Sequence, residues 1–185
     1  MIYYISDMHF GRDHPLLLRG YETIELMTQA LIEKWNNKVK DDDTVYIVGD
    51  IADNSHADIS QYIKALNGKK RLIVGNQDRT WYAQMTEESK NELFESISFY
   101  EEIEDNGSMV ILCHYPMMEW LRSKKGTVMV HGHTHSSKEM PYWEYLKKQK
   151  NILNAGVDVN NLEPCSLEEL FHNNNLFKGF ANDQL

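Results

Sequence analysis

The chain has 185 residues, of which 42% are hydrophobic, and a formal net charge of −9 at pH 7. This length favours one domain with one substantial core, expected over residues 1–185. The negative charge argues against non-specific nucleic-acid binding, which needs a basic surface, and no apolar run approaches the roughly 20 residues that span a bilayer. We therefore expect a cytoplasmic protein with no membrane partner.

Five short runs rich in branched residues predict buried strands, because each ends at a polar or glycine turn. They are residues 2–5, 44–48, 71–74, 109–113 and 127–131. A sixth strand is predicted over 97–103, where Ile97, Phe99, Glu101 and Ile103 share one face. These strands alternate with helical patterns along the chain. The predicted fold class is therefore α/β with layered sheets.

Three segments show signals of α-helix. Apolar residues at helical spacing form one stripe over 24–35 and a second over 59–66, with Gly68 placed to end the second helix. Near the C-terminus, Ser166 followed by Glu169 has the spacing of a capping box that opens a last short helix.

Metal-competent side chains follow all five predicted strands. The sequences after them are SDMH (6–9), GD (49–50), GNQD (75–78), a single histidine (114) and GHTH (132–135). The carboxyl ends of strands in an open α/β sheet converge on one rim, where ligands bind. Alternate strand residues point to one side, so Asp7 with His9, and His133 with His135, are each predicted to reach one point. His114 alone would be read as a core histidine, but the five segments together favour a metal site.

The ordered motifs SDMH, VGDI, GNQD, LCHYP and GHTH resemble those of the calcineurin-like metallophosphoesterases, in particular a compact bacterial and phage type. The resemblance runs from about Tyr4 to Leu170. It implies an αββα fold, with two packed mixed β-sheets flanked by α-helices and two metal ions at one rim. By motif, the first metal would be held by Asp7, His9 and His135, and the second by Asn76, His114 and His133, with Asp50 bridging. His131 is expected to pack behind these ligands.

Imidazole, carboxylate and amide ligands suit two divalent first-row ions, with manganese expected and iron, nickel or zinc as alternatives. Two such ions supply a hydroxide, polarise phosphoryl oxygens and clamp the line of displacement. The expected reaction is in-line attack of a metal-bridging hydroxide on a phosphodiester or phosphomonoester. The expected substrate is small and phosphorylated or nucleotide-like. The residues assigned to catalysis are Asp50, Asn76, Gln77, Asp78 and His114.

Gln77 departs from the family pattern, because many members have histidine there as a proton donor. An amide cannot donate a proton in the physiological range. Two explanations stay open: another side chain, such as His14 or His56, acts as the acid, or the leaving group is already a stable anion. The second explanation makes a pyrophosphohydrolase acting on a nucleotide or other diphosphate the alternative function.

Other side chains are candidates for substrate contact. Arg12 and His14 follow the first motif, and Arg122 opens a basic loop with Lys124 and Lys125. Aromatic residues at 142, 143 and 145 could stack on a ring, although packing or a dimer contact explains them at least as well. A non-catalytic interaction module on the same fold is a third functional class, which the complete ligand set disfavours. The sequence does not indicate the oligomeric state.

Overall fold

The computed structural model describes residues 1–12, 19–53 and 59–180, and these form two four-stranded sheets. The first sheet contains, in spatial order, β1 (Ile2–Ile5), β2 (Thr44–Ile47), β3 (Lys69–Ile73) and β4 (Ser96–Ser98), all paired in parallel. An antiparallel bridge joins Tyr4 of β1 to Cys165. The second sheet contains, in spatial order, β5 (Glu101–Asp105), β6 (Ser108–Leu112), β7 (Val128–His131) and β8 (Ile152–Asn154). Strands β5 and β6 are antiparallel, and the other two pairings are parallel.

Helices connect the strands and cover the sheets. They are α1 (Ile24–Lys38), α2 (Ile59–Lys64), α3 (Arg79–Gln84), α4 (Glu87–Leu93), α5 (Trp143–Leu146) and α6 (Leu167–Lys178). Thr23 caps α1, whose predicted apolar stripe buries Met27, Leu31 and Trp35. The capping box that opens α6 is also confirmed, with Ser166 and Glu169 bonding each other's backbone N–H groups.

The side chains alternate along the strands and build three apolar layers. In β1, Tyr3 and Ile5 pack with α1 and α2 on the outer face of the first sheet. Tyr4, between them, packs instead with residues of β6, β7 and β8 in the layer between the sheets. A third layer joins the outer face of β6 to β8 to Trp120 and to Leu146 of α5. The α/β fold with two sheets flanked by helices is therefore confirmed.

The five predicted strands are all present, with ends that differ by up to two residues. The single strand predicted over 97–103 is wrong, because the chain leaves the first sheet after Ser98 and enters the second at Glu101. The second predicted helix ends at Lys64, and Gly68, with φ +81°, lies in the turn before β3. No helix among the described residues has the length and apolar character needed to cross a bilayer.

Candidate metal centre

The predicted ligands lie close together at one rim of the molecule, beyond the carboxyl ends of strands from both sheets. They form two groups whose ligand atoms lie within 4.8 Å of one another, Asp7 with His9 and His135, and Asp50 with His114 and His133. The loops that follow parallel strands meet at this rim, which explains why residues distant in sequence converge there. Each of the two groups has ligand atoms close enough together to bind a metal ion.

In the first group, the Nε2 atoms of His9 and His135 lie 3.2 Å apart. Their rings stack at 5.0 Å between centroids and 14° between planes. Burial raises the pKa of the Asp7 carboxyl, although His135, His114 and a hydrogen bond from the Ser6 hydroxyl act in the opposite direction. The Asp7 carboxylate also accepts the backbone N–H of His133 at 3.0 Å. Asp7 is therefore held in one orientation from two sides.

In the second group, Asn76 lies between two imidazoles. Its Oδ1 atom is 3.0 Å from Nε2 of His114 and 3.0 Å from Nδ1 of His133. Burial lowers the pKa of His133, so its ring is neutral and one nitrogen keeps a lone pair. The amide oxygen and the two rings therefore offer three donor atoms around one point.

Asp50 contacts both groups. Its Oδ2 atom lies 3.8 Å from Nε2 of His9, and its Oδ1 atom lies 3.4 Å from Nε2 of His114. Burial would raise the pKa of Asp50, but the contacts with His114 and His9 and the backbone N–H of Gln77 hold it below its usual value. The ionised carboxylate thus presents one oxygen to each group.

The backbone at the predicted ligands is in an uncommon conformation. Positive φ angles between 48° and 68° occur at Asp7, His9, Asp50, His133 and His135. Non-glycine residues seldom adopt this region, and such residues cluster at functional sites. The sequence analysis assumed that these ligands lie on strands and point alternately to one side. That assumption is wrong, because β1 ends at Ile5 and β7 ends at His131, before the ligands. His133 and His135 lie in a turn, and their side chains belong to different groups.

The donor set fits metal ions. His114 Nδ1 faces the carbonyl oxygen of Val48 at 2.9 Å, so Nδ1 must donate and a neutral ring has its lone pair on Nε2. That lone pair points at oxygen atoms of Asp50 and Asn76, an arrangement that requires a cation or a proton among them. Burial lowers the pKa of His9 to about 3, and its buried Nδ1 has no partner among the described residues. Neutral imidazoles facing carboxylates are the ligands expected of a transition-metal site.

Two residues that the sequence analysis missed support the first group. Asp158 Oδ2 lies 2.7 Å from Nδ1 of His135, which fixes the proton on Nδ1 and leaves Nε2 free for the site. Arg19 donates to Asp158 at 2.8 Å and to the main-chain oxygens of Asp7 and Met8 at 2.7 and 2.9 Å. Burial would raise the pKa of Asp158, but His135 and Arg19 hold it well below its usual value.

An asparagine cluster supports the same group from behind. The side chain of Asn154 donates to the main-chain oxygen of His135 at 2.7 Å and accepts the N–H of Gly156 at 2.7 Å. Asn174 in turn accepts the N–H of Asn154 at 2.7 Å. The loop that carries His135 is therefore tied to β8 and to α6. No motif in the sequence marks this cluster, because asparagine is common in turns.

Asp78, which the sequence analysis assigned to catalysis, binds main-chain groups around Asp50 with its carboxylate. Its two carboxylate oxygens accept the backbone N–H groups of Gly75, Asp50 and Ile51 at 2.8 to 2.9 Å. The side chain is fully buried, and burial raises its pKa to about 6 against the effect of those three donors. Gly75 is needed beside it, since a Cβ atom there would overlap Oδ1 of Asp50.

The structure describes two further residues named in the sequence analysis, Arg12 and His131. Arg12 is near the first motif and pairs with Asp53 at 3.2 Å. His131 is buried behind the ligands, where its Nδ1 lies 2.8 Å from the oxygen of Gly132. His14 and His56 fall outside the described residues.

Arg122 does not lie at the ligand rim. It lines a cavity with Lys125 and Ser108, where β6 begins. Strands β6 and β7 separate that end from the rim by about 15 Å at 3.3 Å per residue. The structure therefore does not bring Arg122 to the ligand groups, because the segment before β7 lies at the end of these strands opposite the rim.

Comparisons with known proteins agree with this architecture. A family model described as a calcineurin-like phosphoesterase superfamily domain matches residues 1–160. The uncharacterised protein MJ1445 of Methanocaldococcus jannaschii is 29% identical over 171 residues, covering 90% of this chain and 87% of that protein. The gene 66 protein of Mycobacterium phage L5 is 29% identical over 163 residues, covering 72% of this chain and 77% of that protein.

Among solved structures, the protein of unknown function AQ665 from Aquifex aeolicus superposes with a TM-score of 0.68 at 27% sequence identity. The match covers 91% of this chain and 96% of that one. The family is metal-dependent, and membership in this phosphoesterase family supports the assignment of the chain as a hydrolase. With its family match over residues 1–160 and its sheets, rim and ligand groups in agreement, this chain belongs to the calcineurin-like phosphoesterase superfamily.

Proposed function

We propose that the chain hydrolyses phosphoester bonds in a small phosphorylated or nucleotide-like substrate with two divalent metal ions at the rim. Asp7, His9 and His135 would hold one ion, and Asn76, His114 and His133 the other. The observation that carries the proposal is the position of Asp50, with one carboxylate oxygen near His9 and the other near His114. Two ions held by these residues would supply an activated water for in-line attack and would neutralise charge on the phosphoryl oxygens.

The side chains contribute position and charge. Two hydrogen bonds fix Asp50. The backbone N–H of Gln77 donates to Oδ1 of Asp50 at 2.9 Å, and the backbone N–H of Asp50 donates to the Asp78 carboxylate. His114 and His135 each donate Nδ1–H to an oxygen behind them, and each therefore presents Nε2 to the site. This is the usual way in which a protein orients a ligand imidazole.

The charge of the chain supports a local rather than a general attraction for phosphate. The net charge is −9, so the surface as a whole repels anions. Two divalent ions would add four positive charges at the rim, where the carboxylates of Asp7 and Asp50 lie buried. The substrate is therefore expected to be small, because a long polyanion would meet the acidic surface beyond the rim.

Gln77 keeps a second function in consideration. Its amide can donate a hydrogen bond to phosphate but not a proton to a leaving group. A pyrophosphohydrolase does not need that proton, since phosphate leaves as a stable anion. Arg12 is half-exposed near the first motif and is proposed to contact the substrate phosphate.

A substrate panel tests the proposal. Turnover would be measured in manganese with p-nitrophenyl phosphate, bis(p-nitrophenyl) phosphate and nucleoside diphosphates. We expect turnover of activated esters and its loss in Asp50→Asn. Exclusive cleavage of the diphosphates would select the pyrophosphohydrolase. No turnover across the panel, with two ions bound, would indicate the non-catalytic interaction module.

Restoring the family histidine distinguishes the two explanations for Gln77. If the acid is simply missing, Gln77→His is expected to speed hydrolysis of an alkyl phosphodiester, within the roughly 10² to 10⁴ that an acid contributes. Bis(p-nitrophenyl) phosphate is the control substrate, because its leaving group needs no proton and its rate should stay constant. An unchanged alkyl rate would mean that another side chain already supplies the proton.

A further inference from the structure

An apolar cavity of about 250 Å³ adjoins the second ligand group. His133 contributes to both, since its ring lines the cavity and its Nδ1 faces Asn76. The other walls come from the loop after His114 and from the segment around α5, including Tyr115, Met117, Met118 and Tyr142. Because His133 belongs to both, a group attached to a phosphate at the ligand rim would lie beside this cavity.

The walls are suited to a flat, uncharged group. Tyr115 packs edge-on against His133, with 4.7 Å between ring centroids and 66° between planes. Tyr142 is 37% exposed, and Met118 is 70% exposed, so neither is committed to the core. Tyrosine faces and methionine sulfur both make favourable contacts with aromatic rings.

The charge and the size of the cavity further restrict which chemical groups can occupy it. Among the described residues that line the cavity, His133 is the only ionisable one apart from tyrosines, so a charged occupant would lose water without gaining an ion pair. The volume lies below the roughly 300 to 1,000 Å³ of pockets that hold a whole drug-sized ligand. One ring fits such a space better than a complete nucleotide does.

We propose that this cavity is a ring subsite, which binds a single uncharged ring carried by one ester group of the substrate. The inference rests on the proposed function, because the ligand rim must hold the phosphate for the ring to enter. It names a substrate class, phosphoesters that bear a ring, and assigns the preference for that class to Tyr142, Tyr115 and Met117.

Kinetics with matched esters tests the preference. Phenyl p-nitrophenyl phosphate and ethyl p-nitrophenyl phosphate share one leaving group and differ in the group that remains. After correction for their uncatalysed rates, we expect kcat/KM to favour the phenyl ester by about tenfold, the size of one base stacking on an aromatic side chain. A ratio of one in the wild-type protein would overturn the proposal.

Variants at Tyr142 locate the preference. Tyr142→Ala should lower the phenyl-to-ethyl ratio about tenfold, whereas Tyr142→Phe should keep it, because the ring face and not the hydroxyl makes the contact. Leu26→Ala is the matched control: Leu26 is 47% exposed on α1, which covers the first sheet on the opposite side of the molecule. An unchanged ratio in Tyr142→Ala would count against the ring subsite.

A binding measurement separates this inference from the proposed function. Methyl groups of the nine methionines would be labelled with ¹³C, and the zinc-loaded protein titrated with phenylphosphonate or methylphosphonate. We expect ring-current shifts at Met117 and Met118 with phenylphosphonate only, and none at the buried Met27. Such shifts without any turnover would support the ring subsite and contradict the proposed phosphoesterase function. Turnover without such shifts would support the phosphoesterase function and contradict the ring subsite.

Discussion

The two ligand groups differ in what holds them. The first group is oriented by charged side chains from distant parts of the chain, since Asp158 fixes His135 and Arg19 fixes both Asp158 and the backbone of Asp7. The side chains of the second group are oriented by main-chain atoms, although the Asp78 carboxylate also holds the backbone of Asp50. The carbonyl of Val48 fixes His114, and the N–H of Gln77 fixes Asp50.

This difference predicts different weaknesses. Charged supports fail when one partner is removed, because the other is left buried without compensation. Main-chain supports fail when the backbone can no longer approach closely, and glycines are the residues that permit that approach. The first group should therefore be sensitive to substitutions at Arg19 and Asp158, and the second to substitutions at Gly75 and Gly49.

The largest effect on stability is expected for Arg19→Met. The substitution leaves Asp158 buried with one partner fewer and removes donors from two main-chain oxygens, which should lower the free energy of unfolding by about 3 to 5 kcal/mol. Urea denaturation measures the change. The control is Arg71→Met, because the pair of Arg71 with Glu95 is exposed and should contribute about 1 kcal/mol or less. Equal losses in the two variants would contradict the comparison.

Gly75→Ala should damage the second group. The added Cβ would overlap Oδ1 of Asp50 and lie 2.6 Å from its backbone nitrogen, so the carboxylate must move. A displacement near 1 Å is expected to reduce turnover about a hundredfold and to release the second ion. In Gly107→Ala the new Cβ meets open space although φ is +79°, so only about 1 to 2 kcal/mol of stability should be lost. Full activity in Gly75→Ala would be inconsistent with this account.

Asp158→Asn tests the first group alone. An amide accepts the His135 proton more weakly than a carboxylate, and loss of such a partner typically lowers metal affinity 10- to 100-fold. Calorimetric titration with manganese should show one weakened site and one unchanged site. Glu95→Gln, at an exposed ion pair, should leave both affinities unchanged. Weakening of both sites would show that the two groups share their supports.

The smallest effect near neutral pH concerns the dependence of stability on pH in metal-free protein. Burial lowers the pKa of His131 to about 3 from the usual 6.5, so between these values the unfolded chain binds a proton that the folded chain does not. His131 therefore leaves stability unaffected above pH 6.5 and reduces it by about 1.4 kcal/mol per pH unit as the pH falls below 6.5. His131→Gln should remove that slope, whereas His172→Gln, at an exposed position, should retain it. Buried His9 adds a slope of the same sign, which both variants keep.

The sequence predicted the parts of the protein that local patterns encode. Buried strands are recognisable in the sequence as short apolar runs, and the ligands follow these runs in motifs of two to four residues. The break between β4 and β5 was not predictable in this way. Ile97, Phe99, Glu101 and Ile103 alternate as a single strand would, and alternation does not show that the chain changes sheets.

The supports of the site were also missed, for a related reason. Arg19 and Asp158 are 139 residues apart and belong to no shared motif. Asp158 lies four residues after β8, so recognition of that strand would have added it to the candidates at strand ends. For Arg122 the sequence suggested a place near the site that the structure does not show. Arg122 lies between two ligand-bearing segments in sequence, but it does not lie at the rim.

The most direct test of the central claim is the number of ions that each chain retains. Purified protein would be loaded with manganese, desalted and analysed by inductively coupled plasma mass spectrometry. The account predicts two ions per chain in the wild type and at most one in Asp50→Asn, together with loss of turnover. At most one ion in the wild type, or two ions and full turnover in Asp50→Asn, would contradict it.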